Sequence, residues 1–145
     1  MTAALMWYVD DMKNYVSYIK HCTHKLEPDE LNELWNGVGS SHPIIRWADE
    51  LIPERWLREM DEPSKYHDVA YYLGGTEAHR KIADLLFRNM CLTRVRHRYS
   101  GLERKKGELV MYIAYCVLRA GGGCSFEYRD EPLTLEQLKE LANSK

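Results

Sequence analysis

The stretch SKYHDVAYYLGGTEAHRKIAD, residues 64 to 84, sets an imidazole, two carboxylates and a phenol at spacings suited to hydrolytic chemistry. His67 and Tyr71 are four residues apart and share one face of a helix, whereas Asp68 points about 100° away. A neutral His takes a proton from water when a carboxylate on its far nitrogen fixes the tautomer. Asp84 is the candidate for that carboxylate, and Tyr71 can donate its hydroxyl to it and keep it ionised. Asp68 then faces a second site. A hard cation such as Ca²⁺ takes carboxylate and loop-carbonyl oxygens, and the candidate loop is Asn36-Gly37-Val38-Gly39.

Positioning these groups requires a helix hairpin. Pro63 suits a first turn, Gly74-Gly75 breaks the chain, and Thr76 caps the next start, so helices are expected over 63–73 and 76–97. His67 lies 7.5 residues before the midpoint of the glycine pair and Asp84 9.5 after it. At about 1.5 Å per residue their heights differ by only about 3 Å, so the side chains can meet across antiparallel helices.

The remaining chain also reads as helical. Leu5, Tyr8, Val9, Met12, Val16 and Ile19 form the apolar stripe of a first helix, from Thr2 to about Lys25. Pro28 opens a short helix that NGVGSSHP ends, leaving a loop over 36–43. Residues 47–60 carry Pro53, which calls for a kink or two short pieces. The apolar segment 102–119 is the expected core helix, ending at the glycine triplet 121–123. Residues 124–133 suit an extended segment or small hairpin, and Thr134 with Gln137 makes a capping box for a last helix. The expected class is all-α, or mainly α with a minor β element, as one domain over 1–145.

NGVG, then HDVAYY, then AHRKIADLLFRNM together resemble the phospholipase A2 superfamily, most closely its small bacterial and phage-type members without the disulfide framework. The resemblance covers roughly residues 36–90. It implies that His67 is the general base, Asp84 its supporting carboxylate and Tyr71 the supporting tyrosine. Asp68 would bind Ca²⁺ together with the loop Asn36, Gly37, Val38 and Gly39. The implied reaction is hydrolysis of the sn-2 ester of a glycerophospholipid at a membrane surface, with a backbone amide of Gly37 or Gly39 helping to hold the oxyanion. Val38 and Ser40-Ser41 stand where the family's loop carries more glycine.

Composition narrows the alternatives. A net charge of −2 over 145 residues gives no global drive toward nucleic acid or acidic lipid. Four scattered cysteines without a CxxC pair suit a reducing compartment. The start lacks a basic leader, and the longest apolar run, Leu109 to Leu118, is ten residues. A membrane span needs about 20. A soluble, cytoplasmically synthesised protein is expected, with release or delivery if it acts on lipid. His21, Cys22 and His24 lack a second pair at zinc spacing. Local charge is a separate signal: Arg88, Arg94, Arg96, Arg98, Arg104, Lys105 and Lys106 share a span whose only acid is Glu103. A solvated helix end, contact with anionic headgroups, or a nucleic-acid backbone would each use them. Asp84 also has plain helix partners in Arg80 and Arg88. Two further readings therefore stand beside the hydrolase: a helical nucleic-acid-binding module using 88–106, and a catalytically inactive structural member of the same fold.

Overall fold

The computed structural model describes residues 3–35 and 50–144, with side chains from residue 11 onward. The elements are α1 (Ala3–Lys25), α2 (Pro28–Leu34), α3 (Glu54–Leu73), α4 (Glu77–Arg98), α5 (Gly101–Gly121), a 3₁₀ turn (Gly122–Cys124) and α6 (Leu135–Asn143). Among the described residues there is no strand, only an isolated parallel bridge between Gly75 and Tyr128. The all-α class holds. The predicted loop 36–43, with the calcium-loop residues Asn36, Gly37, Val38 and Gly39, lies outside the described residues.

Helices α3 and α4 form an antiparallel pair, since His67 meets Asp84 near the turn while Glu59 meets Arg94 and Arg98 near the far end. Gly74 makes the turn possible. Its φ of +69° lies in the left-handed region, and an added Cβ would collide with the carbonyl oxygen of Glu127. Residues 126–133 lace over this turn: Gly75 N donates to Glu127 O at 3.2 Å, Arg129 N to Gly75 O at 2.9 Å and Leu133 N to Leu73 O at 2.8 Å. This segment is extended and pairs with the interhelix turn rather than with itself as a hairpin.

Two apolar clusters flank the hairpin. One gathers Tyr15, Ile19 and Cys22 of α1 and Leu26 just after it with Val69, Leu73, Ile82, Leu86, Phe126 and Leu138. The other gathers Trp56, Met60, Phe87, Cys91, Leu92, Val95, Met111 and Ala114. Helix starts follow local chemistry: Thr134 accepts from Gln137 N at 3.2 Å while Gln137 returns its Oε1 to Thr134 N at 2.9 Å.

Two expectations fail. Pro63 does not open a helix; it sits inside the continuous α3, while the chain breaks at Pro53, just before α3 begins. A proline inside a helix forfeits one backbone hydrogen bond, but its ring is fully buried here and Ser64 Oγ donates to Asp61 O at 2.6 Å, so packing offsets the loss. Nor is α5 the central helix. It buries Gly107, Met111, Ala114 and Gly121 on one side and exposes Leu102, Leu109, Tyr112 and Ile113. Ten consecutive apolar residues cover every face of a helix, and α5 meets α3 and α4 on one face only.

This arrangement predicts opposite sensitivities within one apolar run. Met111→Ala should cost about 2–5 kcal/mol in urea unfolding, whereas Leu109→Ser should stay within about 0.5 kcal/mol of wild type. The reverse order would mean that α5 is rotated about its axis.

Candidate functional site

On α3, the four-residue spacing stacks His67 above Tyr71, with ring centroids 4.1 Å apart. Glu77, Arg80 and Asp84 fall at i, i+3 and i+7 on α4 and so share one face, buried at Arg80 and Asp84 and exposed at Glu77. The hairpin brings these two faces together. His67 Nε2 lies 2.7 Å from Asp84 Oδ1, and Tyr71 donates its hydroxyl to the same oxygen at 2.7 Å. Asp84 is 0 % exposed and His67 7 %. The His67 ring is packed between Tyr71 and Phe87, where the two apolar clusters adjoin.

The other carboxylate oxygen is held from α5. Arg119 Nη1 donates to Asp84 Oδ2 at 2.8 Å, and Arg80 Nη1 stands 3.5 Å away. Both guanidiniums then bind Glu77. Arg119 Nη2 reaches Oε1 at 2.6 Å, while Arg80 donates from Nε to Oε2 and from Nη2 to Oε1, both at 3.0 Å. Tyr128 OH completes this layer by donating to Glu77 Oε2 at 2.7 Å. Arg80 also donates to the carbonyls of Leu118 and Arg119, at 3.2 and 3.3 Å, placing a cation where the α5 dipole is negative.

Electrostatics follow from these contacts. Burial by itself would raise the Asp84 carboxyl, but the hydrogen bonds from His67, Tyr71 and Arg119 outweigh it and hold the group below the usual carboxylate range. Burial, followed by the charge of Asp84, pushes the Tyr71 phenol up, so it stays a donor. The Arg80 guanidinium, with Tyr128 and Arg119, holds the Glu77 carboxyl down at about 2. An ionised Asp84 only accepts, so His67 Nε2 carries the proton of this contact, and Nδ1 is the nitrogen left to face another partner. No described residue hydrogen-bonds that Nδ1.

His67, Tyr71 and Asp84 are thus brought together, while Asp68 is half-buried and is not a partner of Asp84. Of the predicted cation ligands, Asp68 alone lies within the described residues, which contain no group of three or more His, Cys, Asp or Glu side chains. A calcium site here needs further oxygens from outside the described residues. Arg80, expected as a helix partner of Asp84, stands 3.5 Å from its Oδ2, whereas Glu77 and Arg119 escaped the sequence reading. Glu77 carried a visible signal, seven residues before Asp84 on the same helix face. Arg119, 35 residues from Asp84, carried none. Gly122, read only as part of a helix stop, approaches the site so closely that an added Cβ would strike the Tyr71 hydroxyl.

Arg88, the other expected partner of Asp84, lies over the rings of Tyr112 and Tyr115 instead. The basic segment is largely paired. Arg94 and Arg98 reach the buried Glu59, Arg96 and Arg104 reach Glu108, and Lys106 reaches Glu103. No helix among the described residues is long and apolar enough to cross a membrane. Comparison with known protein families, curated proteins and solved structures finds no match to the chain.

The depressed carboxyls set a pH dependence. A group whose pKa is lower folded than unfolded contributes stability above its unfolded value, about 3.9 for Asp and 4.3 for Glu, and loses it as pH falls through the folded value. The urea midpoint should therefore decline from about pH 4 toward pH 2, and Glu77→Gln should flatten part of that decline. A wild-type midpoint constant over this range would contradict the assigned ion pairs.

Proposed function

We propose that this chain is a phospholipase A2-like ester hydrolase that cleaves the sn-2 ester of glycerophospholipids at a membrane surface. The observation that carries the reading is the buried His67–Asp84 pair, 2.7 Å apart, with Tyr71 on the same carboxylate oxygen. In this reading His67 Nδ1 takes a proton from water as that water adds to the ester carbonyl. The imidazolium so formed is stabilised through Nε2 by Asp84 and then returns the proton to the leaving alkoxide of the lysophospholipid. Tyr71 helps to keep the carboxylate ionised. No covalent enzyme intermediate is involved.

Calcium is the cofactor this reading calls for: Asp68 with Asn36, Gly37, Val38 and Gly39 would hold it, and it would supply stabilisation of negative charge at the ester. Lys105, and the flanking Arg94, Arg96, Arg98, Arg104 and Lys106, are the proposed contacts to anionic headgroups. Carboxylate partners of Arg94, Arg96, Arg98, Arg104 and Lys106 lower the positive field open to a lipid surface and to a polyphosphate alike, so the reading rests on the His67–Asp84 pair and not on this segment.

Fatty-acid release from mixed anionic and zwitterionic vesicles, with calcium or with chelator, tests the proposal. Wild type should release fatty acid only with calcium, and His67→Gln should lose at least about 100-fold in rate. A folded wild type that releases none across several lipids would overturn the hydrolase. Salt-sensitive retardation of nonspecific DNA by that same protein would then support the nucleic-acid reading, and its absence the structural one.

A further inference from the structure

We infer that Arg119 is a positioning residue that fixes the rotation of the Asp84 carboxylate and so aims Oδ1 at His67; as a catalytic statement this rests on the hydrolase reading. A carboxylate has one rotatable bond that matters here, between Cβ and Cγ, and its angle decides where the oxygen lone pairs point. Both donors to Oδ1, His67 and Tyr71, come from α3. They act on one oxygen only, and because hydrogen bonds tolerate a broad range of directions, a further hold on Oδ2, across the Cβ–Cγ axis, narrows the rotation that they leave. Among the described residues, the only hydrogen bond to Oδ2 is from Arg119 Nη1 at 2.8 Å. Arg80 stands 3.5 Å from that oxygen, and its guanidinium is already shared among Glu77 and the carbonyls of Leu118 and Arg119.

Arg119 is itself held in one orientation. Its two terminal nitrogens diverge to two carboxylates on the same helix, Asp84 at 2.8 Å and Glu77 at 2.6 Å, and a planar guanidinium bound at both ends cannot turn. Glu77 is fixed in turn by Arg80 and by Tyr128. The backbone that carries Arg119 is anchored by Arg80 at the last carbonyls of α5. The chain of contacts therefore runs from the end of α5 through one planar cation to the buried pair. A lysine at this position would keep the charge but would offer one nitrogen where arginine offers two in a fixed plane. Because the Arg119 side chain is 24 % exposed, its place can be refilled from solvent.

The test pairs a signal from the His67 Nε2 proton with kinetics. In wild type that proton, bonded to a buried carboxylate, should give a slowly exchanging downfield resonance that His67→Gln removes. In Arg119→Met it should move upfield and exchange at least 10-fold faster. Arg119→Lys should recover part of the shift, and added guanidinium should restore the resonance in Arg119→Ala. Where release is measurable, kcat should fall about 10- to 100-fold in Arg119→Met with KM changed less than 2-fold. If Arg119→Met does not fold, Arg119→Lys and the guanidinium titration of Arg119→Ala carry the same comparison. An unchanged resonance in a folded variant overturns the inference. The two readings separate cleanly: a wild type with no lipid hydrolysis but an Arg119-dependent resonance defeats the hydrolase and leaves the positioning intact. Hydrolysis at unchanged kcat in Arg119→Met does the opposite.

Discussion

A fully buried carboxylate is the constraint around which this helical protein is arranged. Moving an ion such as Asp84 out of water costs several kcal/mol even after relaxation, and the cost is met only when every lone pair finds a donor. Here His67 and Tyr71 take one oxygen and Arg119 the other, with Arg80 close behind. These donors come from α3, α4 and α5, so compensating one charge fixes the relation of three helices. Glu77 is the counterpart that keeps two guanidiniums from being an excess of positive charge.

The far end of the α3–α4 hairpin repeats the theme with the roles of the helices exchanged. There the carboxylate belongs to α3, since Glu59 is 1 % exposed, and the cations belong to α4, with Arg98 at 2.9 Å and Arg94 at 3.5 Å. Satisfaction is less complete. Among the described residues Glu59 Oε2 and Arg94 Nε make no hydrogen bond, whereas both oxygens of Asp84 do. The two ends therefore clamp the same helix pair, but only the Asp84 end carries an imidazole, and its Nδ1 has no hydrogen-bond partner among the described residues. This difference directs functional attention to the glycine turn rather than to the basic segment, where charge is consumed in holding helices together.

Apolar packing supports this polar seam from both sides. The clusters built on α1 and on α5 meet the hairpin on different faces, and the His67 ring touches Tyr71 from one and Phe87 from the other. Packed rings hold the imidazole near one orientation, which a hydrogen bond alone does not ensure. The 3₁₀ turn and the extended segment after it close the end of the hairpin. Gly122 lets the chain pass against the Tyr71 hydroxyl, and Phe126 packs edge-on to the Tyr71 ring.

Much of this was legible in the residues themselves, because helical periodicity and turn chemistry are local. The four-residue spacing of His67 and Tyr71, the break at Gly74-Gly75 and the count of residues to Asp84 determined that these three groups could share one level of a hairpin. The Thr134–Gln137 capping box and the all-α class came from the same short-range rules. Tertiary structure decided the rest. Pro63 stayed inside α3 because its ring is buried, which no local pattern records. The apolar run of α5 left several large side chains exposed, since hydropathy counts residues but not the partners available to cover each face. Arg119 joined Asp84 across 35 residues because the end of α5 is anchored where Arg80 meets its last carbonyls, and only the folded chain brings those ends together.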